Sequence, residues 1–330
     1  MPRQARIDMP GALHHIIIRG IEKKLIFRDD DDRDHFVQRL GSILLETSTP
    51  CFAWALIPNH AHLLLRSGLV PMATVMRRLL TSYAQFFNRR HRRHGQLFQN
   101  RYKSILCEEE PYLLELVRYI HLNPLRAHLV KDLDELGSYP YSGHAVLMGK
   151  QSREWQDSNY IVALFGGTQK LGRGRYASFI AAGASQGRRP ELVGGGLIRS
   201  LGGWSALKDL EKDGPRIKGD ERILGSGDFV EKVLKQAEET LTQTTRMKRE
   251  GIGWESLTEK VMSEYGVGSE GLTDGRKDRE VVRARSALCY QAVRGLRMTA
   301  REVALKLRVT PSAVSKLVSR GQQLVMDGNN

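Results

Sequence analysis

Only three cysteines occur in the 330 residues. Cys51, Cys107 and Cys289 lie at neither disulfide-framework nor metal-ligand spacing, so a cross-linked scaffold is excluded and the thiols read as small core hydrophobes in a reducing compartment. Long apolar runs are also missing: nothing approaches the roughly 20 residues of a membrane helix. The opening MPRQARIDMPG lacks the apolar stretch of a secretory leader. A cytoplasmic location without membrane association is the expectation. No internal repeat is visible. Acidic residues are scarce against basic ones, 37 Asp and Glu to 51 Lys and Arg, leaving a net charge of +14. That balance favours a polyanionic partner, nucleic acid before an anionic membrane. With 41% hydrophobic residues the chain can bury a full core, and its length suits two or three domains.

What is present alternates between two periods. Leu13 to Arg19 (LHHIIIR) is a β-branched run, followed by acidic DDDDRD that can open a helix with an apolar stripe at Phe36, Val37, Leu40, Ile43 and Leu44. Cys51 to Ile57 reads as a second strand, Pro58-Asn59 as a turn and His60 to Arg66 as a third strand. Met72 to Arg90 has helical spacing, and Arg101 to Cys107 reads as a fourth strand. The order predicts an α+β fold, a ferredoxin-like β-α-β-β-α-β domain over residues 1–150. A further helix opens at Pro111, ends at Asn123-Pro124, and carries Tyr119 and Asn123 four apart on one face. Residues 151–225 are rich in Gly and Arg and read as connecting structure with short helices. Residues 226–330 read as an all-α region with a helix-turn-helix near 299–320. There Ala304 lies where two short helices cross, Val314 and Leu317 face inward, and Arg308 holds the turn position that glycine often fills.

IPNHAHLLL places His60 and His62 one residue apart, so on a strand both imidazoles leave the same face. Among ten histidines a chance His-x-His has an expectation of roughly 0.3, so the pair needs company. The company comes from other blocks: LHHI with IRG near the start, GQLFQNRYKSIL at 95–106, RYIHLNPLRAHLV at 118–130 and YPYSGHAVLMG at 139–149. Together these resemble the single-tyrosine HUH transposases, specifically the REP-associated tyrosine transposases, over about residues 9–150. The resemblance implies cleavage and transfer of single-stranded or hairpin DNA, with Tyr119 as nucleophile. It implies that His60, His62 and Asn123 hold Mg²⁺ or Mn²⁺, and it is compatible with a homodimer. His121 falls where a second tyrosine sometimes stands, which leaves Tyr112 as the weaker competitor. His14, His15 and His121 carry no comparable partner and read as structural or DNA-adjacent.

The chemistry has its own logic. A phosphodiester shields its phosphorus with negative charge, so a cation held by neutral imidazoles and an amide oxygen can polarise a non-bridging oxygen while keeping open positions. A tyrosine nucleophile conserves the phosphoester bond as a 5′-phosphotyrosine. From Arg66 to Lys103 the chain contains no acid, and Arg66, Arg77, Arg78, Arg89, Arg90, Arg92, Arg93, Arg101 and Lys103 form a candidate backbone track. Arg19 and Arg126, which lie within the blocks above, are further candidate DNA contacts. Tyr83, Phe86, Phe87, Phe98 and Tyr102 interleave with the track; the first three have core spacing, and exposed members suit base stacking. Ser312, Ser315, Lys316 and Arg320 are the expected contacts of the helix-turn-helix with duplex DNA. Two alternatives stand beside this reading, a non-catalytic DNA-binding regulator on the same scaffold and a single-stranded RNA-binding protein.

Overall fold

Strands β1 (Leu13–Arg19), β2 (Cys51–Ile57), β3 (His60–Arg66), β4 (Lys103–Cys107) and β5 (Ile223–Leu224) form one sheet in the order β2-β3-β1-β4-β5. The structure, a computed structural model, describes residues 6–68, 70–187, 189–193, 220–249, 251–276, 278–296 and 298–327. The first four strands pair antiparallel, and α1 (Asp30–Thr47) and α2 (Met72–Arg90) complete the ferredoxin-like β-α-β-β-α-β unit. The fourth strand begins two residues later than its sequence reading. β5 joins β4 in parallel, a strand not foreseen in the Gly/Arg-rich stretch. Residues 194–219 of that stretch lie outside the described residues.

Alternation along the strands sorts their side chains onto two faces. Leu13, Ile17, Leu64, Ala53, Ala55, Ile105 and Cys107 belong to a core built with Leu113, Leu116, Val117 and Ile120 of α3 (Glu109–His121). The small Ala53 and Ala55 let the helix approach β2. Residues of the other parity, Ile16, Ile18, Trp54, Leu56, Leu63 and Leu65, are fully buried on the side of α1 and α2, whose stripes at Phe36, Leu40, Ile43, Val75, Met76 and Leu79 are equally buried. Here Gly41 of α1 faces the Trp155 indole so closely that a methyl group would collide at 2.5 Å. The outer edge of β2 is covered by single bridges, Cys51 to Gln156 and Ala55 to Ser142.

Behind α3 the chain makes α4 (Asn123–Arg126), α5 (Leu133–Ser138), α6 (Gly143–Leu147), α7 (Ser158–Leu164) and α8 (Gln169–Gly183). A buried polar knot joins α3, α6 and α8: the Tyr176 hydroxyl lies 2.8 Å from His121 Nδ1 and 2.6 Å from His144 Nδ1. One hydroxyl proton serves one imidazole, so the other ring must donate to the oxygen. His121 Nε2 is buried without a partner. The less costly assignment therefore has His121 donating from Nδ1, leaving a bare lone pair rather than an orphan N–H.

By internal packing the chain divides into two units, Met1–Ser67 with Met72–Leu234, and Gly68–Pro71 with Lys235–Asn330. α9 (Gly227–Arg249) runs from the first into the second. The second unit contains α10 (Trp254–Tyr265), α11 (Ser269–Thr273), α12 (Arg279–Arg294), α13 (Ala300–Leu307) and α14 (Pro311–Asp327) around a core that includes Leu257, Leu288, Val303, Val314 and Val318. α13 opens with a capping box between Thr299 and Glu302. Arg308 caps its end in the left-handed region at φ 54°, as the missing glycine required. Val318 is buried, whereas Leu317 packs only at the rim of the core.

Two outcomes follow from this packing. Replacing Arg308 with Gly removes a left-handed side-chain conformation and should stabilise the second unit by about 0.5–1 kcal/mol, offset in part by unfolded-chain entropy, as read by urea unfolding. Burial lowers the pKa of His121 well below the ordinary histidine value and that of His144 to about 4, so unfolding between pH 6.5 and 4 takes up protons. Stability from these rings is therefore complete above pH 6.5 and is lost as the pH falls toward 4. His144→Gln should flatten that loss by about one proton, roughly 1.4 kcal/mol per pH unit.

Candidate active site

The β2–β3 hairpin delivers His60 and His62 to the start of β3, and its turn is held from outside: Gly20 N–H donates to the Asn59 carbonyl at 2.9 Å, while Ile26 and Phe27 donate to the Pro58 carbonyl at 2.8 and 3.0 Å. In register, His60 stands opposite Arg19 and Ile57, and His62 opposite Ile17 and Ala55. Both rings thus leave the face that α3 covers, with centroids 5.1 Å apart. Tyr119, in the last turn of α3, sets its ring 5.7 Å from His62 and nearly perpendicular to it. The apolar stripe of α3 faces the sheet, so the phenol projects past its edge toward the imidazoles.

A third imidazole lies with them. His15 Nε2 is 2.9 Å from His62 Nδ1, and the His15 ring is 6.0 Å from that of Tyr119. The local sequence LHHI carries no sign of this pairing, because the contact is created by the register between two distant strands.

Electrostatics keep the pair of histidines neutral. Burial, with Arg19 nearby, lowers the pKa of His60 to about 4; burial, His15, His60 and Arg19 lower that of His62 well below the ordinary value. Neutral imidazoles have a lone pair to offer a cation. His60 Nδ1 is 2.7 Å from Asn59 Oδ1, which can only accept, so this ring donates from Nδ1 and keeps Nε2 bare. Burial raises the pKa of the Tyr119 phenol, opposed by Arg126, Arg19 and the neighbouring Asn123 amide. Arg126 lies 5.6 Å from the phenol ring. Asn123, one turn on from Tyr119, has a buried Nδ2 without a partner, and a half-turn of the amide exchanges its nitrogen and oxygen. Two neutral imidazoles and an unsatisfied amide are a donor set that fits Mg²⁺ or Mn²⁺ with positions left for phosphate and water.

His60, His62 and Tyr119 line a groove of about 830 Å³ together with Arg6, Arg19, Arg101, Lys103 and Arg222, against which Glu221 is the acidic member; Asn123 and Arg126 are not among its lining residues. Tyr112, two turns earlier on α3, does not line it. The acid-free run of the sequence divides here. Arg101 and Lys103 reach the groove, whereas Arg77, Arg78 and Arg89 lie on α2 and Arg92 and Arg93 just beyond it, none among the lining residues. Acids from elsewhere meet several of the run: Glu46 pairs with Arg78, Glu109 with Arg66, and Asp29, Asp31 and Asp32 converge on Arg90 at 2.6–2.7 Å. Asp29, Asp32 and His91 are close enough together to hold a metal, yet Arg90 already supplies the positive charge to both carboxylates. The interleaved aromatics are occupied too. Tyr83, Phe87 and Phe98 are buried, Phe86 stacks on His35 at 3.6 Å, and the Arg6 guanidinium covers Tyr102 at 3.9 Å. In the second unit Ser312, Lys316 and Arg320 are exposed on α14, and Ser315 is half-buried with its hydroxyl donating to the Pro311 carbonyl at 3.0 Å.

Comparison with known proteins bears on the first unit. One solved structure, described as a REP-associated tyrosine transposase bound to a REP hairpin, is similar at 15% identity over 47% of this chain and 91% of its own, with a TM-score of 0.37. No curated protein matches the chain. The model for IS200-like transposases matches residues 10–123, a span that runs from the start of β1 to Asn123 and includes His15, His60, His62 and Tyr119. Through this N-terminal span the chain is similar to the IS200-like transposases.

Proposed function

We propose that the chain cuts and rejoins single-stranded DNA at hairpin or palindromic repeats by a metal-assisted transesterification in which Tyr119 is the nucleophile. The observation that carries this reading is the meeting of the Tyr119 ring with His62 at 5.7 Å, with His60 alongside, in a groove whose charged lining is mostly basic. A divalent cation would be held by Nε2 of His60 and His62 and by the Asn123 amide oxygen. When bound, it supplies Lewis-acid polarisation of a non-bridging phosphate oxygen.

The remaining chemistry falls to the protein. The Tyr119 phenol gives up its proton, its oxygen forms a bond to phosphorus, and the bond from phosphorus to the 3′ oxygen breaks, that oxygen taking up a proton. One phosphoester replaces another, so the strand is held as a 5′-phosphotyrosine and its rejoining needs no outside energy source. Burial makes the phenol harder to ionise, and Arg126 and Arg19 oppose that cost by favouring the phenolate. Arg101 and Lys103 suit the backbone of the incoming strand. Exposed Lys316 and Arg320 on the second helix of the helix-turn-helix suit duplex DNA beside the cleavage site.

With Mn²⁺ and a labelled single-stranded hairpin, the wild-type protein should form an adduct that survives denaturation and is absent in Tyr119→Phe; an adduct that persists in this variant rejects the nucleophile. His60→Ala should keep DNA binding while cleavage falls by on the order of 10²-fold or more, and undiminished cleavage rejects the metal assignment. Arg101→Ala should weaken single-strand binding whatever the sequence and reduce the slope of log K against log salt by about 0.7.

A further inference from the structure

The three imidazoles are joined in a chain whose direction is fixed at its far end. His15, fully buried on β1, has its Nδ1 3.2 Å from the carbonyl oxygen of Leu192, a residue 177 positions later. A carbonyl has no proton to give, so His15 Nδ1 carries the hydrogen. A neutral imidazole has one N–H, which makes His15 Nε2 an acceptor. Its partner at 2.9 Å, His62 Nδ1, must then be the donor. The proton on Nδ1 of His62 leaves Nε2 of that ring as a bare lone pair. His60 reaches the same state separately, through Asn59.

The geometry points to His15 as a positioning residue: it holds His62 in the tautomer whose Nε2 can bind a divalent cation, and the Leu192 carbonyl sets the direction of this relay. The inference rests on the proposal that His60 and His62 hold the cation, and it extends that site in two ways. It adds a strand-β1 histidine that does not touch the metal. It also brings in a backbone group from beyond residues 10–123, the span matched by the family. The His15 and His62 ring centroids are 5.2 Å apart and the rings are 27° from parallel, so the same contact that selects the tautomer also fixes the ring plane.

Long-range ¹H–¹⁵N correlation spectra of the full chain without metal, with ¹⁵N-labelled histidine at pH 7.5, read the tautomer directly once His62→Gln has identified the His62 signals. Protonation at Nδ1 of His62 is expected; a wild-type ring protonated at Nε2 overturns the inference, and this measurement needs no substitution at position 15. Mn²⁺ affinity, followed by the electron paramagnetic resonance of the free ion, should fall about 10- to 100-fold in His15→Leu, which offers no acceptor. It should stay near the wild-type value in His15→Gln, whose amide oxygen can accept from His62. Unchanged affinity in His15→Leu overturns the inference when His60→Ala still abolishes binding. Unchanged affinity in His60→Ala defeats the underlying metal assignment instead.

Discussion

The pairing register between β1 and β3 governs the whole arrangement. Ile17 opposite His62 and Arg19 opposite His60 put both histidines, and with them His15, on the face toward α3. Because side chains alternate at every residue, a slip of β3 by one position would send His60 and His62 to the face of α1 and α2, bring Ala61 and Leu63 under Tyr119, and part His62 from His15. The apolar content of both faces resists such a slip, since each is matched to a helical layer of its own. The β2–β3 turn, bound by backbone groups of Gly20, Ile26 and Phe27, adds a second constraint at the same end of the sheet.

Burial then does what exposure would undo. In water His60 and His62 would be partly charged near neutral pH and would repel a cation; beneath α3 and beside Arg19 they stay neutral. The same burial works against the phenol, which is why arginines close to Tyr119 matter more than arginines elsewhere on the surface. On α2, Arg78 and Arg90 are answered by Glu46, Asp31 and Asp32 of α1 and by its cap Asp29.

Much of the first unit was legible in the sequence, and the reasons differ by element. β1, β2 and β3 are short continuous apolar or β-branched runs bounded by turn residues, and α2 has helical spacing, so their ends agree with the sequence reading. Tyr119, His60 and His62 were recognisable as candidates because several ordered blocks occur together, and the structure brings these side chains into one groove. His15 was not, since its partners come from β3 and from Leu192, far along the chain, and no local spacing encodes them. Nor did the acid-free arginine run show which of its members meet acids, because Asp29, Asp31, Asp32 and Glu46 are distant in sequence and adjacent in space to Arg90 and Arg78. β5 is two residues long, too short for periodicity to register. In the second unit the two helices α13 and α14 could be read, with the left-handed turn at Arg308 between them, because caps and turns are local signals.

The margins of the sheet have a bearing on how copies of the chain can meet. On one side β5 lies along part of β4; on the other, Leu56 N–H donates to the Tyr141 carbonyl at 2.9 Å and Asp157 N–H to the Cys51 carbonyl at 2.8 Å. These groups are the ones an intruding strand would need. Fusion of two such sheets into a continuous one must first strip away the chain's own selvedge, so self-association through side-chain surfaces meets less resistance than association through the backbone.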